Sequence, residues 1–275
     1  MAIFISIILV MGAIGLVFGF ILACASKKLA VELNPLIHEV EDILPKGQCG
    51  ACGYAGCLAY AEAVVNEPEV APDLCIPGKA EVAKKVAELT GKKAKEVEVK
   101  VAFLKCSNPI GLASKKYVYS GIEDCTAASI LHLGPKNCQF GCIGFGTCAK
   151  HCPFNAITMN ADNLPVIDVA LCTGCGKCVN VCPKKIIRLI PPETPVGVHC
   201  SSKDKGAVAR KFCQTACLGC GICVKQCPHG AIVIENFLAV LDPKVCLEKC
   251  SQPVCFDKCP TKAIKARVDA AKQTP

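Results

Sequence analysis

The sequence predicts an α+β protein in which one membrane-spanning helix precedes several small units, each organised by cysteine side chains. Three observations lead to this prediction. The first 25 residues are almost entirely apolar, 25 of the 275 residues are cysteine, and tryptophan is absent while aromatic residues make up 5% of the chain. So few aromatic residues do not predict one large core, and an apolar content of 52% excludes disorder over most of the chain.

The N-terminal segment is long enough to cross a membrane as a helix. Residues 3–25 contain no charged side chain, and a run of this length spans the hydrocarbon layer of a bilayer. A cleaved signal peptide would have basic residues before a shorter apolar run. We therefore expect an uncleaved anchor over residues 1–25 and a linker over 26–37. Because Lys27 and Lys28 follow the span, the positive-inside rule predicts a single-pass protein of the inner (cytoplasmic) membrane with its large domain on the cytoplasmic side.

The cysteines are expected to bind metal, because disulfides are rare in a reducing cytoplasm. Twenty of them fall into five groups by spacing: Cys49-x2-Cys52-x4-Cys57-x17-Cys75, Cys138-x3-Cys142-x5-Cys148-x3-Cys152-Pro153, Cys172-x2-Cys175-x2-Cys178-x3-Cys182-Pro183, Cys217-x2-Cys220-x2-Cys223-x3-Cys227-Pro228 and Cys246-x3-Cys250-x4-Cys255-x3-Cys259-Pro260.

Two of these groups, which begin at Cys172 and Cys217, match the bacterial ferredoxin run C-x2-C-x2-C-x3-C-P without change. In that pattern three thiolates on one tight loop bind one cluster, and the cysteine before proline binds the neighbouring cluster. Four groups end in Cys-Pro, and each is followed after two residues by an apolar pair. Crossed ligation then predicts four [4Fe–4S] clusters, held by Cys138, Cys142, Cys148 and Cys182; by Cys152, Cys172, Cys175 and Cys178; by Cys217, Cys220, Cys223 and Cys259; and by Cys227, Cys246, Cys250 and Cys255.

A zinc site is the alternative for each group, because four cysteines also hold Zn²⁺. Zinc sites commonly use two separated pairs, and they do not require four cysteines in eleven residues followed by proline. The groups that begin at Cys138 and Cys246 depart from the ferredoxin run by a wider loop.

The first group predicts a separate domain over residues 38–98 with a single [4Fe–4S] cluster, zinc again being the alternative. Glycines interleave its cysteines, which lets the backbone wrap closely and point N–H groups at an anionic cluster. Within this domain apolar periodicity predicts a helix over 79–89 that stops at Gly91. Alternation predicts a strand over 97–104, which leads into the next domain.

The rest of the chain is an internal duplication, with ferredoxin-like domains expected over residues 99–192 and 193–268 and a polar tail over 269–275. The segment 101–106 resembles 196–200, and on this alignment Cys125 corresponds to Cys213 and Cys138 to Cys217. Four cysteines are then left over, namely Cys106, Cys125, Cys200 and Cys213. They could bind a sixth cluster across the two halves, or remain buried thiols, since free cysteine packs as a small hydrophobe.

The formal charge of +8 does not indicate nucleic-acid binding once the clusters are counted. Each [4Fe–4S] core with four thiolates carries a charge of about −2, so five clusters would bring the chain to about −2. The sequence contains no G-x-x-x-x-G-K-[ST] run and no strand-linked G-x-G-x-x-G. We therefore expect electron transfer without catalytic residues and without a flavin or nicotinamide site in this chain.

The order of these parts resembles the B subunit of the Rnf complex, over nearly the whole chain. The segment 48–57, Gln-Cys-Gly-Ala-Cys-Gly-Tyr-Ala-Gly-Cys, is the most specific part of the resemblance. The duplicated region resembles the long form of the family. The resemblance implies a subunit of a membrane-bound, ion-translocating ferredoxin:NAD⁺ oxidoreductase. It implies reduced ferredoxin as the electron donor, and partner subunits that hold the flavins and the NAD⁺ site.

Two alternatives remain open at this point. A polyferredoxin subunit of a hydrogenase or formate dehydrogenase would also carry tandem clusters, although the Cys49 group disfavours it. A redox-sensing or structural iron–sulfur protein would use the clusters to stabilise its fold and report redox state.

Overall fold

The computed structural model describes residues 2–29, 34–108, 114–250 and 253–267. Its first element is helix α1, Ala2–Leu29, which continues past the expected end of the anchor. The segment Ile3–Lys28 has a mean hydropathy of 2.8, and its apolar window has no part buried in the protein. By length and composition it is the one helix in the described ranges that could cross a bilayer, which fits a membrane-anchored protein.

A small helical module follows the anchor. It consists of α2 (Pro35–Ile43), α3 (Cys57–Asn66), a 3₁₀ helix (Ile76–Gly78) and α4 (Lys79–Thr90). Val40, Val64 and Val86 are inaccessible to solvent, and the Tyr60 ring is 1% exposed. Helix α4 ends at Gly91, whose φ of 66° is left-handed, as its periodicity predicts. Helix α2 begins within the expected linker, and residues 30–33 of that linker lie outside the described residues.

One lysine holds the end of α3 in place. Lys92 Nζ donates to the main-chain oxygens of Val64 (2.7 Å), Glu67 (2.6 Å) and Val70 (2.9 Å). The last carbonyls of a helix have no partner within the helix, and a cation at that end also opposes the helix dipole. Lys92 therefore stabilises the helix that begins at Cys57.

The first half of the duplicated region is closed by its own strands. Its elements are β1 (Val101–Leu104), α5 (Cys125–Ile130), α6 (Thr147–Lys150), β2 (Ile157–Met159), β3 (Pro165–Ile167), α7 (Lys177–Val181) and β4 (Ile187–Ile190). The first and last strands pair antiparallel, with Val101 opposite Ile190, and β2 pairs antiparallel with β3. Strand β1 begins later than the alternation predicts, because Pro191 follows its last partner and cannot donate to a ladder.

The second half repeats this arrangement. Its elements are β5 (Val196–Val198), α8 (Gly206–Phe212), α9 (Ile222–Lys225), β6 (Ile232–Glu235), β7 (Leu238–Leu241), α10 (Pro243–Lys249) and β8 (Ile264–Ala266). Strand β5 pairs antiparallel with β8, and β6 pairs antiparallel with β7. The residues of the expected polar tail, 269–275, lie outside the described residues.

The four Cys-Pro segments adopt the same turn. In each, the N–H of the third residue after cysteine donates to that cysteine's carbonyl oxygen, at 3.0–3.4 Å, and the donor has a positive φ. The apolar pair that follows each turn is buried and leads into β2, β4, β6 or β8: Ala156 and Ile157, Ile186 and Ile187, Ala231 and Ile232, and Ala263 and Ile264. Each half therefore ties the cysteine before proline to a core strand.

We expect Lys92→Met to loosen α3, because three charge-assisted hydrogen bonds are lost while the aliphatic part of the side chain is kept. A hydrogen bond to a charged group contributes about 1.5–3 kcal/mol, so loss of even one such bond should speed amide hydrogen exchange in α3 about 10-fold or more. Mass spectrometry of the peptide over residues 57–66 measures this rate. Lys93→Met at an exposed neighbour is the matched control. Equal exchange in the two variants would contradict the assignment.

Candidate iron–sulfur sites

The four cysteines of the helical module converge on one cavity. Cys49, Cys52, Cys57 and Cys75 line a space of about 340 Å³. Gln48 fixes the loop, since its Oε1 accepts the N–H of Cys57 at 3.0 Å. Burial raises the pKa of Cys75 to about 11, and the charges of the other three cysteines act in the same direction.

Three further sets of four cysteines come together within the duplicated region. Each set takes three members from one run and the fourth from the Cys-Pro turn of the neighbouring run. Burial and then the charges of Cys172 and Cys152 raise the pKa of Cys178 to about 11. Burial and then the charges of Cys217, Cys220 and Cys259 raise the pKa of Cys223 to about 11. Cys227, Cys246, Cys250 and Cys255 line a cavity of about 690 Å³ in the second half.

The remaining set differs from the expected one. Cys142, Cys148 and Cys182 share a cavity of about 380 Å³ with Cys125, and Cys138 does not line it. Cys125 is held there at the start of α5, because its N–H donates to Thr147 Oγ1 at 2.8 Å. The Thr147 hydroxyl in turn donates to Asp124 at 2.7 Å. The structure thus groups Cys125 with these three cysteines, whereas spacing predicts Cys138.

A different alignment of the two halves explains the change. The segment 142–153, CIGFGTCAKHCP, aligns without a gap with 217–228, CLGCGICVKQCP. The first half has Phe145 where the second has Cys220, so its middle ligand is missing, and Cys125 takes that place in the cavity. Cys138 then corresponds to Cys213, since each lies four residues before the first cysteine of its run. This gapless match was the signal in the sequence that the spacing of cysteines alone did not reveal.

Cys138 instead lines a cavity of about 400 Å³ with Cys106, Cys200 and Cys213. Two of these residues belong to each half. Spacing leaves Cys106, Cys125, Cys200 and Cys213 outside the five groups. The structure brings three of these together in this cavity, and the fourth cysteine there is Cys138 in place of Cys125.

The ligand loops of both halves begin in the same way. Gly146 and Gly221 precede α6 and α9 with φ values of 69° and 73°, a left-handed conformation that glycine adopts without strain. The second residue of each helix is a cysteine of the set, Cys148 or Cys223. Gly176 precedes α7 and Cys178 in the same conformation, with a φ of 77°.

Main-chain donors also point at cysteine sulfur. The N–H of Ala102 donates to Cys172 Sγ at 3.3 Å, and the N–H of Ala239 donates to Cys217 Sγ at 3.4 Å. Hydrogen bonds to ligand sulfur are among the factors that set the potential of an iron–sulfur cluster. Strands β1 and β7 thus each donate a main-chain hydrogen bond to a cysteine sulfur of their own half.

The cysteine sets fit [4Fe–4S] clusters better than single ions. Buried donors without a partner in the described part of the chain are Asn108 Nδ2, Lys136 Nζ and Thr173 Oγ1. Asn108 lines the cavity of Cys106, Thr173 follows Cys172, and the charge of Lys136 acts on Cys142. Such donors suit an anionic group that offers sulfide acceptors.

Zinc is the alternative for each group, and it makes a different demand on the distances between thiols. Within the ranges that the structure describes, no three His, Cys, Asp or Glu side chains converge closely enough to share one metal ion. A mononuclear zinc site needs its thiolates about 2.3 Å from one ion. A cluster of several iron and sulfide atoms keeps its thiolates further apart.

We expect Phe145→Cys to rescue the loss of Cys125. In Cys125→Ala the set loses one of its four thiolates, so the iron content should fall. The double variant Cys125→Ala/Phe145→Cys places a thiolate where the second half has Cys220, and the iron content should return to that of the unmodified chain. Iron and sulfide analysis of anaerobically purified protein measures this. The control pair is Cys138→Ala with and without Phe145→Cys. If Phe145→Cys restores the iron lost in Cys138→Ala, then Cys138 belongs to the Cys142 set, as spacing predicts.

Comparison with known proteins agrees with these sites. The Fe-S cluster family model matches residues 44–77, and 4Fe-4S dicluster domain models match residues 141–187 and 171–231. The second dicluster match joins the two unchanged runs, although the strand pairing assigns them to different halves.

Relatives align over almost the whole chain. The B subunit of the proton-translocating ferredoxin:NAD⁺ oxidoreductase complex of Clostridium ljungdahlii is 53% identical over 96% of this chain and 93% of its own length. The corresponding subunit of the Na⁺-translocating complex of Acetobacterium woodii is 43% identical over 96% of this chain and 78% of its own. That of an ion-translocating oxidoreductase complex of Methanosarcina acetivorans is 39% identical over 97% of this chain and 99% of its own. The chain therefore belongs to the B-subunit family of the Rnf complexes and is an iron–sulfur electron-transfer subunit of an ion-translocating ferredoxin:NAD⁺ oxidoreductase.

Proposed function

We propose that this chain accepts electrons from reduced ferredoxin and relays them towards membrane-embedded subunits through at least five [4Fe–4S] clusters. The proposed ligand sets are Cys49, Cys52, Cys57 and Cys75; Cys152, Cys172, Cys175 and Cys178; Cys125, Cys142, Cys148 and Cys182; Cys217, Cys220, Cys223 and Cys259; and Cys227, Cys246, Cys250 and Cys255. The proposed architecture is α+β: an anchor helix over 1–25, a single-cluster domain over 38–98, and two ferredoxin-like domains over 99–192 and 193–268. The closure of each half by its own first and last strands supports this division.

The proposed location is the inner membrane, with all cluster sites on the cytoplasmic side. The observation that supports this orientation is the pair Lys27 and Lys28 at the end of α1. A single helix offers no ion path, so the translocation step is assigned to partner subunits.

The observation that carries the proposed order is a contact between two cysteine sets. The side chain of Cys175 lies beside that of Cys49 and lowers the pKa of Cys49 to about 6. The Phe154 ring, next to the Cys152-Pro153 turn, packs against Gly47 on the other side of the same junction. The single-cluster module therefore adjoins the Cys172 set directly. Because this module also follows the anchor in the chain, it is the proposed exit towards the membrane partners.

The opposite end of the chain supplies a candidate site at which electrons enter. Among the described cysteines, Cys220 is exposed although it belongs to a ligand set, and the other exposed cysteine is Cys24 in the anchor helix. A solvent-facing thiolate brings its cluster close to the protein surface, where a soluble donor can dock. This supports electron uptake at the second half.

A bound [4Fe–4S] cluster takes up and releases one electron without any covalent change in the protein. The chain's own residues hold the thiolates in buried cavities, exclude water from them and direct N–H groups at sulfur. These contributions set potentials and keep the sites rigid.

Anaerobic titration of the full-length chain with reduced ferredoxin tests the proposed donor. We expect uptake of several electrons per chain, approaching one for each cluster. If a fully iron-loaded chain accepts no electrons, the donor assignment fails and a structural or sensory role for the clusters takes its place.

The proposed order makes a separate prediction for Cys52→Ala in the assembled complex. Loss of this ligand should abolish ferredoxin:NAD⁺ turnover while reduction of the remaining clusters by ferredoxin continues, because only the exit site is damaged. Stopped-flow spectroscopy and a steady-state assay measure the two properties. Cys24→Ala, outside every cysteine set, is the control. Normal turnover in Cys52→Ala would contradict the assignment of the Cys49 set as the exit site.

A further inference from the structure

We propose that Cys106, Cys138, Cys200 and Cys213 hold a sixth [4Fe–4S] cluster, which joins the two halves of the duplicated region. The role of this cluster rests on the relay proposed above, whereas its existence does not. The proposal is carried by the position of these four residues, by the other groups that line their cavity, and by their contacts with the neighbouring cysteine sets.

The four cysteines are related by the duplication. Cys106 and Cys200 follow the first strands of their halves, β1 and β5. Cys138 and Cys213 each precede the first cysteine of their runs by four residues. Two equivalent thiols from each half therefore line one shared space, as four thiols do in the Cys49 and Cys142 sets.

The lining of this cavity suits an anionic cluster. The side-chain nitrogen of Asn108 is buried there without a partner in the described residues. Lys105 lines the same cavity and brings a positive charge. The N–H of Ser202 donates to Cys200 Sγ at 3.5 Å, and Thr215 Oγ1 hydrogen-bonds to Cys213 Sγ at 3.3 Å. Donors at sulfur and a nearby cation are what the other sets of this chain provide.

Each end of the site is one hydrogen bond from a neighbouring set. The N–H of Cys142 donates to Cys106 Sγ at 3.4 Å. The N–H of Cys217 donates to Cys200 Sγ at 3.3 Å. Cys142 belongs to the first half and Cys217 to the second, so the proposed cluster lies between one site of each half. In that position it would take one electron from one neighbour and pass one to the other, with no bond made or broken.

The junction around the site is tightly packed. Phe103 lies so close to Gly197 that any side chain there would overlap its ring. The Phe103 ring also lies 4.7 Å from the His199 ring and 5.7 Å from the Arg267 guanidinium. Two serines cross the junction: Ser107 Oγ donates to Thr215 Oγ1 at 3.3 Å, and Ser201 Oγ donates to the Lys105 carbonyl at 2.9 Å. A fixed junction keeps the neighbouring sites at a constant separation.

The alternative is that the four residues are reduced, buried thiols. Thiols that serve only as small hydrophobes need no hydrogen-bond donors around them. A buried amide without an acceptor is costly, and Asn108 is such a group in the lining shared by these four cysteines. Asn108 and the N–H groups directed at Cys106 and Cys200 therefore favour an anionic group at this site.

Iron and acid-labile sulfide analysis of the full-length chain, purified without oxygen, tests the proposal. We expect about 24 iron atoms per chain, against about 20 for five clusters. Cys106→Ala/Cys200→Ala removes one ligand from each half and should lose about four iron atoms. Cys24→Ala is the matched control and should lose none. About 20 iron atoms in the unmodified chain, or an unchanged content in the double variant, would overturn the proposal.

A second pair of variants tests the membership of Cys138. Cys138→Ala/Cys213→Ala should also lose about four iron atoms, and all four substitutions together should lose no more, because they damage one cluster. If Cys138 served the Cys142 set instead, the fourfold variant would lose about eight. EPR spectra of the reduced protein should retain the signals of the other five clusters in every variant. These measurements use no ferredoxin, so the site and the donor assignment can fail independently.

Discussion

Cysteines from different runs meet in shared cavities on two levels in this protein. Within each half, the cysteine before proline reaches the cavity of the neighbouring run, and the turn that follows it leads an apolar pair into the core. Folding of the strands and assembly of the cavities are thus one event, because Ile187 cannot enter the core unless Cys182 is near the Cys148 cavity. The same principle operates between the halves, where the thiols of Cys106 and Cys138 face those of Cys200 and Cys213.

Charge is the second constraint on the fold. Every occupied set would add a negative charge of about 2 in a place from which water is excluded, and a buried charge without compensation is costly. Three features of the chain offset this charge. They are N–H groups directed at sulfur, buried donors such as Lys136 and Asn108, and an excess of lysine and arginine. The proposed clusters would therefore offset the excess of basic residues, which does not indicate a nucleic-acid partner.

Contacts connect neighbouring cysteine sets in pairs. The Cys49 set adjoins the Cys172 set through Cys49 and Cys175, and the N–H groups of Cys142 and Cys217 donate to Cys106 and Cys200, which lie between the halves. In the proposed relay, the electron donor and the membrane are at opposite ends of these contacts. The duplicated ferredoxin region would then extend the distance that electrons cover without a mobile carrier.

Much of this organisation was determined by the sequence alone. The apolar run at the N-terminus, the Cys49 module, the four Cys-Pro turns and the helix ended by Gly91 each follow from local pattern, because the residues that carry the information are neighbours in the chain. The membership of the cysteine sets was decided by tertiary structure. Cys125 and Cys138 lie 13 residues apart in the sequence, and each lines the cavity in which spacing places the other. The run that begins at Cys142 has Phe145 where the second half has Cys220, and hydrogen bonds of Asp124 and Thr147 hold Cys125 at that cavity. Spacing suggested a site between the halves, but the packing of Phe103 on Gly197 that joins them involves residues far apart in the chain.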